Sequence, residues 1–153
     1  MRRFLALVAL ATAACTTGDG LGEREVRLSL PDQQVDDLEI DGCARDGDVV
    51  VLGASRADVL LQVLLQLGDD DEVDVDSSGI TVTIGNRGTL GAGDGELIGS
   101  ETGAAGTIEE ATVRGDRIDV VAEAVPTTEG TQLAAGRLEL SARCSPQDDL
   151  AVG

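Results

Sequence analysis

The sequence predicts a mainly β fold of the α+β class. It is a twisted antiparallel sheet or flattened sandwich of about seven or eight short strands, with one helix packed on it. Three observations carry that expectation. Apolar and polar residues alternate over short runs, most clearly where Ile80, Val82 and Ile84 interleave with Thr81 and Thr83. Turn dipeptides such as Asp46-Gly47 and Gly115-Asp116 punctuate those runs. One segment alone, 55–67, places its leucines at helical spacing.

The elements follow in order. Val26, Leu28 and Leu30 alternate with Arg27 and Ser29, a half-buried strand that Pro31 ends. Leu38 and Ile40 lead into Cys43, and the slip in parity between Ile40 and Cys43 calls for a bulge near Gly42. Asp46-Gly47 turns the chain into the continuous apolar strand Val49, Val50, Val51, Leu52. The helix is expected over 55–67. Ser55 is its N-cap, Asp58 completes a capping-box-like pair, Leu60, Leu61, Leu64 and Leu65 form the buried stripe, and Gly68 stops it. Val59, Val63 and Leu67 widen that stripe.

Beyond Gly68 a short strand over 72–75 is expected, then a turn at Ser77-Ser78-Gly79, then the strand of Ile80, Val82 and Ile84, turned again at Asn86-Arg87-Gly88. The glycine-rich stretch 91–106 offers only Leu97 and Ile98 as a strand-like pair. Residues 107–114 pair through Gly115-Asp116 with 117–125 as a hairpin. In a last strand Leu138, Leu140, Ala142 and Cys144 share the buried face.

The first fifteen residues have a separate meaning. Arg2 and Arg3 form a positive n-region, 4–11 a short apolar core, and Thr12-Ala13-Ala14 a small-residue site ahead of Cys15. This pattern reads as a bacterial lipobox, with the Cys15 thiol alkylated by a diacylglyceryl group before cleavage. A plain signal peptide with an incidental cysteine is the alternative. The run is far shorter than the ~20 apolar residues a spanning helix requires. Attachment therefore falls to the lipid, whose two acyl chains suffice for stable anchoring. The expected organisation is a lipoprotein signal peptide over 1–14, the lipidated Cys15 and a flexible tether over 15–24, a single β-rich domain over 25–145, and a polar tail over 146–153. The expected location is the outer face of the cell membrane, after export.

Composition narrows the function. The chain has 29 acidic residues against 11 basic ones, and removing Arg2 and Arg3 with the signal makes the mature chain still more acidic. It contains no histidine and no lysine, and its only aromatic residue, Phe4, lies in the signal. Such a surface repels phosphate backbones and anionic headgroups, so no nucleic-acid partner is expected and charge cannot hold the domain on a membrane. Any protein partner is expected to be basic. Arginine without lysine, among abundant Ala, Gly, Val and Asp, points to GC-rich coding and an actinobacterial source.

Cys43 and Cys144 remain after Cys15. An even pair in an exported chain reads as a disulfide, with two free thiols as the alternative.

Catalytic motifs are approached but incomplete. Gly53-Ala54-Ser55-Arg56-Ala57 nearly spells a nucleophile elbow, yet the chain has no histidine or lysine to accept the serine proton. Asp74-Val75-Asp76-Ser77-Ser78-Gly79, with Asp69-Asp70-Asp71 upstream, matches the first half of a calcium loop, but Gly85 stands where the bidentate Glu belongs. A strand–turn–strand explains the same residues. No catalytic residue, metal site or cofactor is assigned, and no enzymatic activity is expected.

Taken together, the lipobox, the strand ending in Cys43, Asp48-Val49-Val50-Val51-Leu52-Gly53, Gly115-Asp116-Arg117-Ile118-Asp119-Val120, and the closing Leu138-Glu139-Leu140-Ser141-Ala142-Arg143-Cys144-Ser145 resemble the mycobacterial nineteen-kilodalton lipoprotein antigen family. That resemblance spans 15–145. It implies a surface-exposed, triacylated envelope lipoprotein of antigen type, without catalytic activity, whose lipid is sensed by a host receptor. Two functions are therefore expected in order: a non-enzymatic lipoprotein presenting an acidic domain for partner binding, or a carrier of a lipid or small apolar ligand between the helix and the sheet.

Overall fold

The computed structural model describes residues 21–145. The lipobox with Cys15 and the tail over 146–153 lie outside the described residues. Among the described residues, nine strands run in chain order: β1 (Glu25–Ser29), β2 (Gln34–Asp46), β3 (Val49–Arg56), β4 (Val59–Leu67), β5 (Val73–Ile84), β6 (Gly88–Gly93), β7 (Thr107–Arg114), β8 (Arg117–Pro126) and β9 (Gly136–Arg143). They form one antiparallel sheet in the order β6-β5-β4-β3-β2-β1-β9-β8-β7, and an extra β6–β8 pairing closes it into a barrel.

The fold is therefore all-β among the described residues, which corrects the expected helix and open sheet. Residues 55–67 are a hairpin: β3 and β4 pair from Arg56↔Val59 to Val49↔Gln66, with Ala57-Asp58 as the two-residue turn. Ser55 is a strand residue paired with Leu60 instead of a helix cap, and Gly68 follows a strand end. The strand period was present all along. Val59, Leu61, Val63, Leu65 and Leu67 all face inward. Leu60 and Leu64 occupy outward positions, and their extra apolarity mimics a helical stripe.

Two further expectations are revised. Ser77-Ser78-Gly79 is not a turn between two strands but part of a wide bulge inside β5, where the register against β4 slips between Leu64 and Gln66. The start of the glycine-rich stretch, expected as loop, belongs to β6, which pairs with β5 from Gly79↔Gly93 to Ile84↔Gly88. Other expectations hold: the bulge beside Gly42 appears as a register shift between Ile40 and Gly42, and β7 and β8 form the expected hairpin around Gly115-Asp116.

Closure has a simple basis. Leu90 and Gly91 of β6 pair with Pro126 and Val125 of β8, while Thr107 and Ile108 of β7 pair with Glu123 and Ala122 on the same edge of β8. β6 and β7 thus continue one another along a single wall position, and the chain between them, 94–106, loops outward. The barrel has eight wall positions built from nine strands. Gly106 is the re-entry point. A Cβ there would lie 2.5 Å from the Glu123 carbonyl and 2.6 Å from that of Gly91, at φ +39°.

Eight strands enclose an interior that side chains can fill. Leu28, Val50, Ala54, Leu61, Leu65, Ile80, Val82, Leu90, Ile118, Leu138 and Ala142 have no exposed surface at all, so no void of water size reaches them. The inward residues make one contiguous aliphatic core. The outward positions carry Arg27, Glu39, Thr81, Thr83, Asp119, Glu123, Arg137 and Glu139. Apolar-in and charged-out is the reverse of a membrane-spanning barrel, whose outer band faces lipid.

Candidate functional site

Cys43 and Cys144 form a disulfide with a Cα–Cα distance of 6.1 Å, in agreement with the pairing expected from sequence. β1 stands between β2 and β9 in the sheet, but it begins only at Glu25. Both cysteines are buried in the core, so the bond ties β2 to the residue after β9 from inside the barrel. The stretch entering β1 packs on the same end. Leu21 is buried, its carbonyl accepts from Arg143 Nη1 at 3.3 Å, and Ser145 Oγ donates to Glu23 Oε1 at 3.0 Å.

The calcium-like segment is occupied by its own bonds. Asp74 accepts from the Asp76 amide at 3.1 Å and from Ser77 Oγ at 2.9 Å, and its carbonyl accepts from Ser78 Oγ at 2.6 Å. These bonds stabilise the β5 bulge. No group of three or more metal-ligating side chains occurs among the described residues.

On β8 and β9 the Asp119 carboxylate is held by three bonds. Arg117 donates to both oxygens, at 2.7 and 3.0 Å, and Ser141, its cross-strand neighbour, donates at 2.7 Å. Partial burial pushes the carboxyl up, but the bonds from Arg117 and Ser141 and the charges of Arg117 and Arg114 outweigh it and hold it below the ordinary Asp range. Ser141 is a donor to a carboxylate that Arg117 also holds.

The outer face of β3 and β4 is different in kind. The exposed large aliphatics among the described residues are Val51 (41%), Leu60 (43%) and Leu97 (46%). Val51 and Leu60 stand on adjacent strands, and Leu97, from the 94–106 loop, lines one groove with Val51 but not with Leu60. Register orders the face in two rows. One runs Ala44–Val51–Leu64–Gly79, the other Gly42–Gly53–Gln62–Thr81. Gly42 and Gly53 leave a trough in which an added Cβ would meet nothing within 4 Å. Leu97 and Ile98 wall its far end, packing within 3.3 and 3.0 Å of the Cβ position of Gly79. The result is an open groove of about 350 Å³ lined by Val51, Gly53, Gln62, Leu64, Thr81 and Leu97, among others.

Asp94 and Glu96 flank Leu97 in sequence. Asp94 shapes that segment: its Oδ1 accepts from the Glu96 and Leu97 amides at 2.9 and 3.2 Å. Two arginines lie against β2, Arg24 on the Ile40 carbonyl at 2.6 Å and Arg56 on the Asp36 carbonyl at 2.7 Å. Arg45 is bonded to Asp71 at 2.7 Å, and Arg56 lies 4.0 Å from Asp58.

Sequence reasoning missed this groove. Leu60 and Leu64 were assigned to a helix core, and Gly42 and Gly53 carry meaning only once β2 and β3 are in register. No family model matches the chain, and no curated protein matches it.

Proposed function

We propose that this chain is a non-enzymatic envelope lipoprotein of surface-antigen type, anchored through lipid on Cys15, that presents its acidic barrel to a protein partner. The resemblance to the nineteen-kilodalton lipoprotein antigens supports the anchoring half. One observation supports the binding half: a barrel with a filled aliphatic interior gathers its exposed large aliphatics on a single outer face. The carrier alternative loses its site, because the helix that would roof a ligand cavity is strand β4.

Cys15→Ala tests the anchor. The variant is expected to move from the membrane to the soluble fraction, and an unchanged membrane fraction refutes the lipobox. For the non-enzymatic reading, the purified protein is expected to show no turnover of ester, glycoside or peptide substrates. Turnover abolished by changing one carboxylate would make it an enzyme.

A further inference from the structure

We infer that the anchored barrel stands end-on over the membrane. The end that carries Leu21 and Cys144 faces the bilayer, and the loop over 127–135 lies farthest from it. The inference rests on the proposed lipid anchor at Cys15 and adds to it the surface that faces the membrane. Three observations carry it: where the chain enters the barrel, which turns share that end, and where the wall carries charge.

The chain is already fastened to the barrel at Leu21. That residue is buried, and its carbonyl accepts from Arg143 at the end of β9. Glu23 accepts from Ser145 beside it. Six peptide steps separate Leu21 from Cys15, 21 − 15 = 6. Fully extended they reach about 20 Å, so the lipid holds this end within that distance of the headgroups. β4, β7 and β9 finish at this end and β5 and β8 start from it, so the turns over 68–72 and 115–116 share it. The loop over 127–135 follows β8 and lies at the opposite end. The 10 residues of β8, tilted as barrel strands are, set the two ends about 25 Å apart.

A tether of that reach also allows the barrel to lie on its wall. Charge decides against it. Exposed carboxylates surround the barrel, with Asp36 and Glu39 on β2, Glu109 on β7, Glu123 on β8 and Glu139 on β9. The whole chain carries a net charge of −18. Anionic headgroups repel such a wall within about a Debye length, ~8–10 Å. Asp69-Asp70-Asp71 at the anchor end is repelled too, which draws the tether out. A body held at one end and repelled along its length moves most of its charge away by standing up. Val51 and Leu97, exposed on the wall, then clear the lipid and stay open to a partner.

The chain contains no Trp or Tyr, so one introduced Trp is the sole energy donor to a dansyl-labelled lipid headgroup. Three variants each replace one exposed carboxylate: Asp70→Trp at the anchor end, Glu96→Trp on the wall and Glu129→Trp at the far end. The lipidated full chain is added to preformed phosphatidylglycerol vesicles that hold a trace of dansyl-phosphatidylethanolamine. Transfer is expected to fall in the order Asp70→Trp, Glu96→Trp, Glu129→Trp, with at least ~3-fold between the first and the last. Phosphatidylcholine vesicles, or high salt, are expected to shrink that ratio. A Gly-Ser insert after Thr17 is expected to lower transfer from Asp70→Trp by lengthening the tether. Transfer from Glu96→Trp or Glu129→Trp that equals or exceeds transfer from Asp70→Trp overturns the inference. So does a ratio indifferent to lipid charge, or transfer indifferent to the insert.

Flotation of the same vesicles separates this inference from the anchor beneath it. A full chain that floats with the transfer order reversed overturns the orientation and leaves the anchor standing. A full chain that does not float, or a Cys15→Ala variant that floats equally well, overturns both.

Discussion

Cys43 and Cys144 are 101 residues apart in the chain yet 6.1 Å apart at Cα, linking β2 to the residue that follows β9. Both cysteines are buried, so the bond ties β2 to the end of the last strand through the core. Closing a loop of this length restricts the unfolded chain strongly, by about 4–5 kcal/mol in the chain-entropy model. A double Cys43→Ala, Cys144→Ala variant is expected to lose several kcal/mol in urea unfolding. Non-reducing peptide mapping should recover the linked pair, and free thiols at both positions would refute the bond.

Leu61 and Leu64 separate the barrel from the helix expected over 55–67. On a packed helix both would be buried, and Leu64→Asp would unfold the domain. In the barrel Leu61 is fully buried and Leu64 faces the groove. Leu61→Asp is expected to abolish folding, because it buries an unpaired carboxylate, and Leu61→Ala to cost about 2–5 kcal/mol. Leu64→Asp is expected to cost less than Leu61→Asp, because Leu64 is only half-buried and its carboxylate keeps access to water. Denaturant melts of the three variants decide the matter, and the reverse order would restore the helix.

Two glycines predict opposite outcomes. Gly53 has open space where its Cβ would be, so Gly53→Val is expected to keep or raise stability, by up to about 1 kcal/mol through strand propensity. Gly106 is wedged between the carbonyls of Glu123 and Gly91 at a positive φ, so Gly106→Ala is expected to cost more than about 2 kcal/mol. Melting temperatures that move together would contradict the closure described for β6, β7 and β8.

Asp119 predicts a pH dependence. Its carboxyl is held below the ordinary range, so at acid pH the folded protein binds fewer protons there than the unfolded chain. The stabilisation is fully present above the unfolded value of about 3.9 and is lost as pH falls through the lower folded value. The wild type should therefore exceed Asp119→Asn in urea midpoint near pH 6, and the gap should narrow on descending toward about pH 2. A gap independent of pH would show that the Arg117–Asp119–Ser141 bonds do not depend on the charge.

Much of the wall was legible in the chain because alternation states which side of a strand is dry. β1 and β9 have polar residues on their outer faces, so the period of two stands alone. β4 was misread because its outer face is also apolar at Leu60 and Leu64, and because Ala57-Asp58 lacks the usual Gly or Asn of a tight turn. The groove and the false helix thus share one cause, leucines that serve an outer surface. β6 was hidden by its glycines, which look like loop residues until their neighbours are known. Gly91 lies under Thr127 and Ile98, with their side-chain carbons 2.8 and 3.1 Å from its Cβ position.

By itself the sequence determined local alternation, turn positions, the acidic surface, the cysteine pair and the lipobox pattern, because each depends on neighbours a few residues apart or on composition. Only the tertiary structure decided that the sheet closes, that β6 and β7 share one wall position, and that Gly53, Val51, Leu64 and Leu97 form one groove. Closure depends on β6 and β8 meeting across more than thirty residues, Leu90 with Pro126 and Gly91 with Val125. Pairing at that distance is set by register and by the volume the barrel interior must fill, and neither quantity is written in any short stretch of chain.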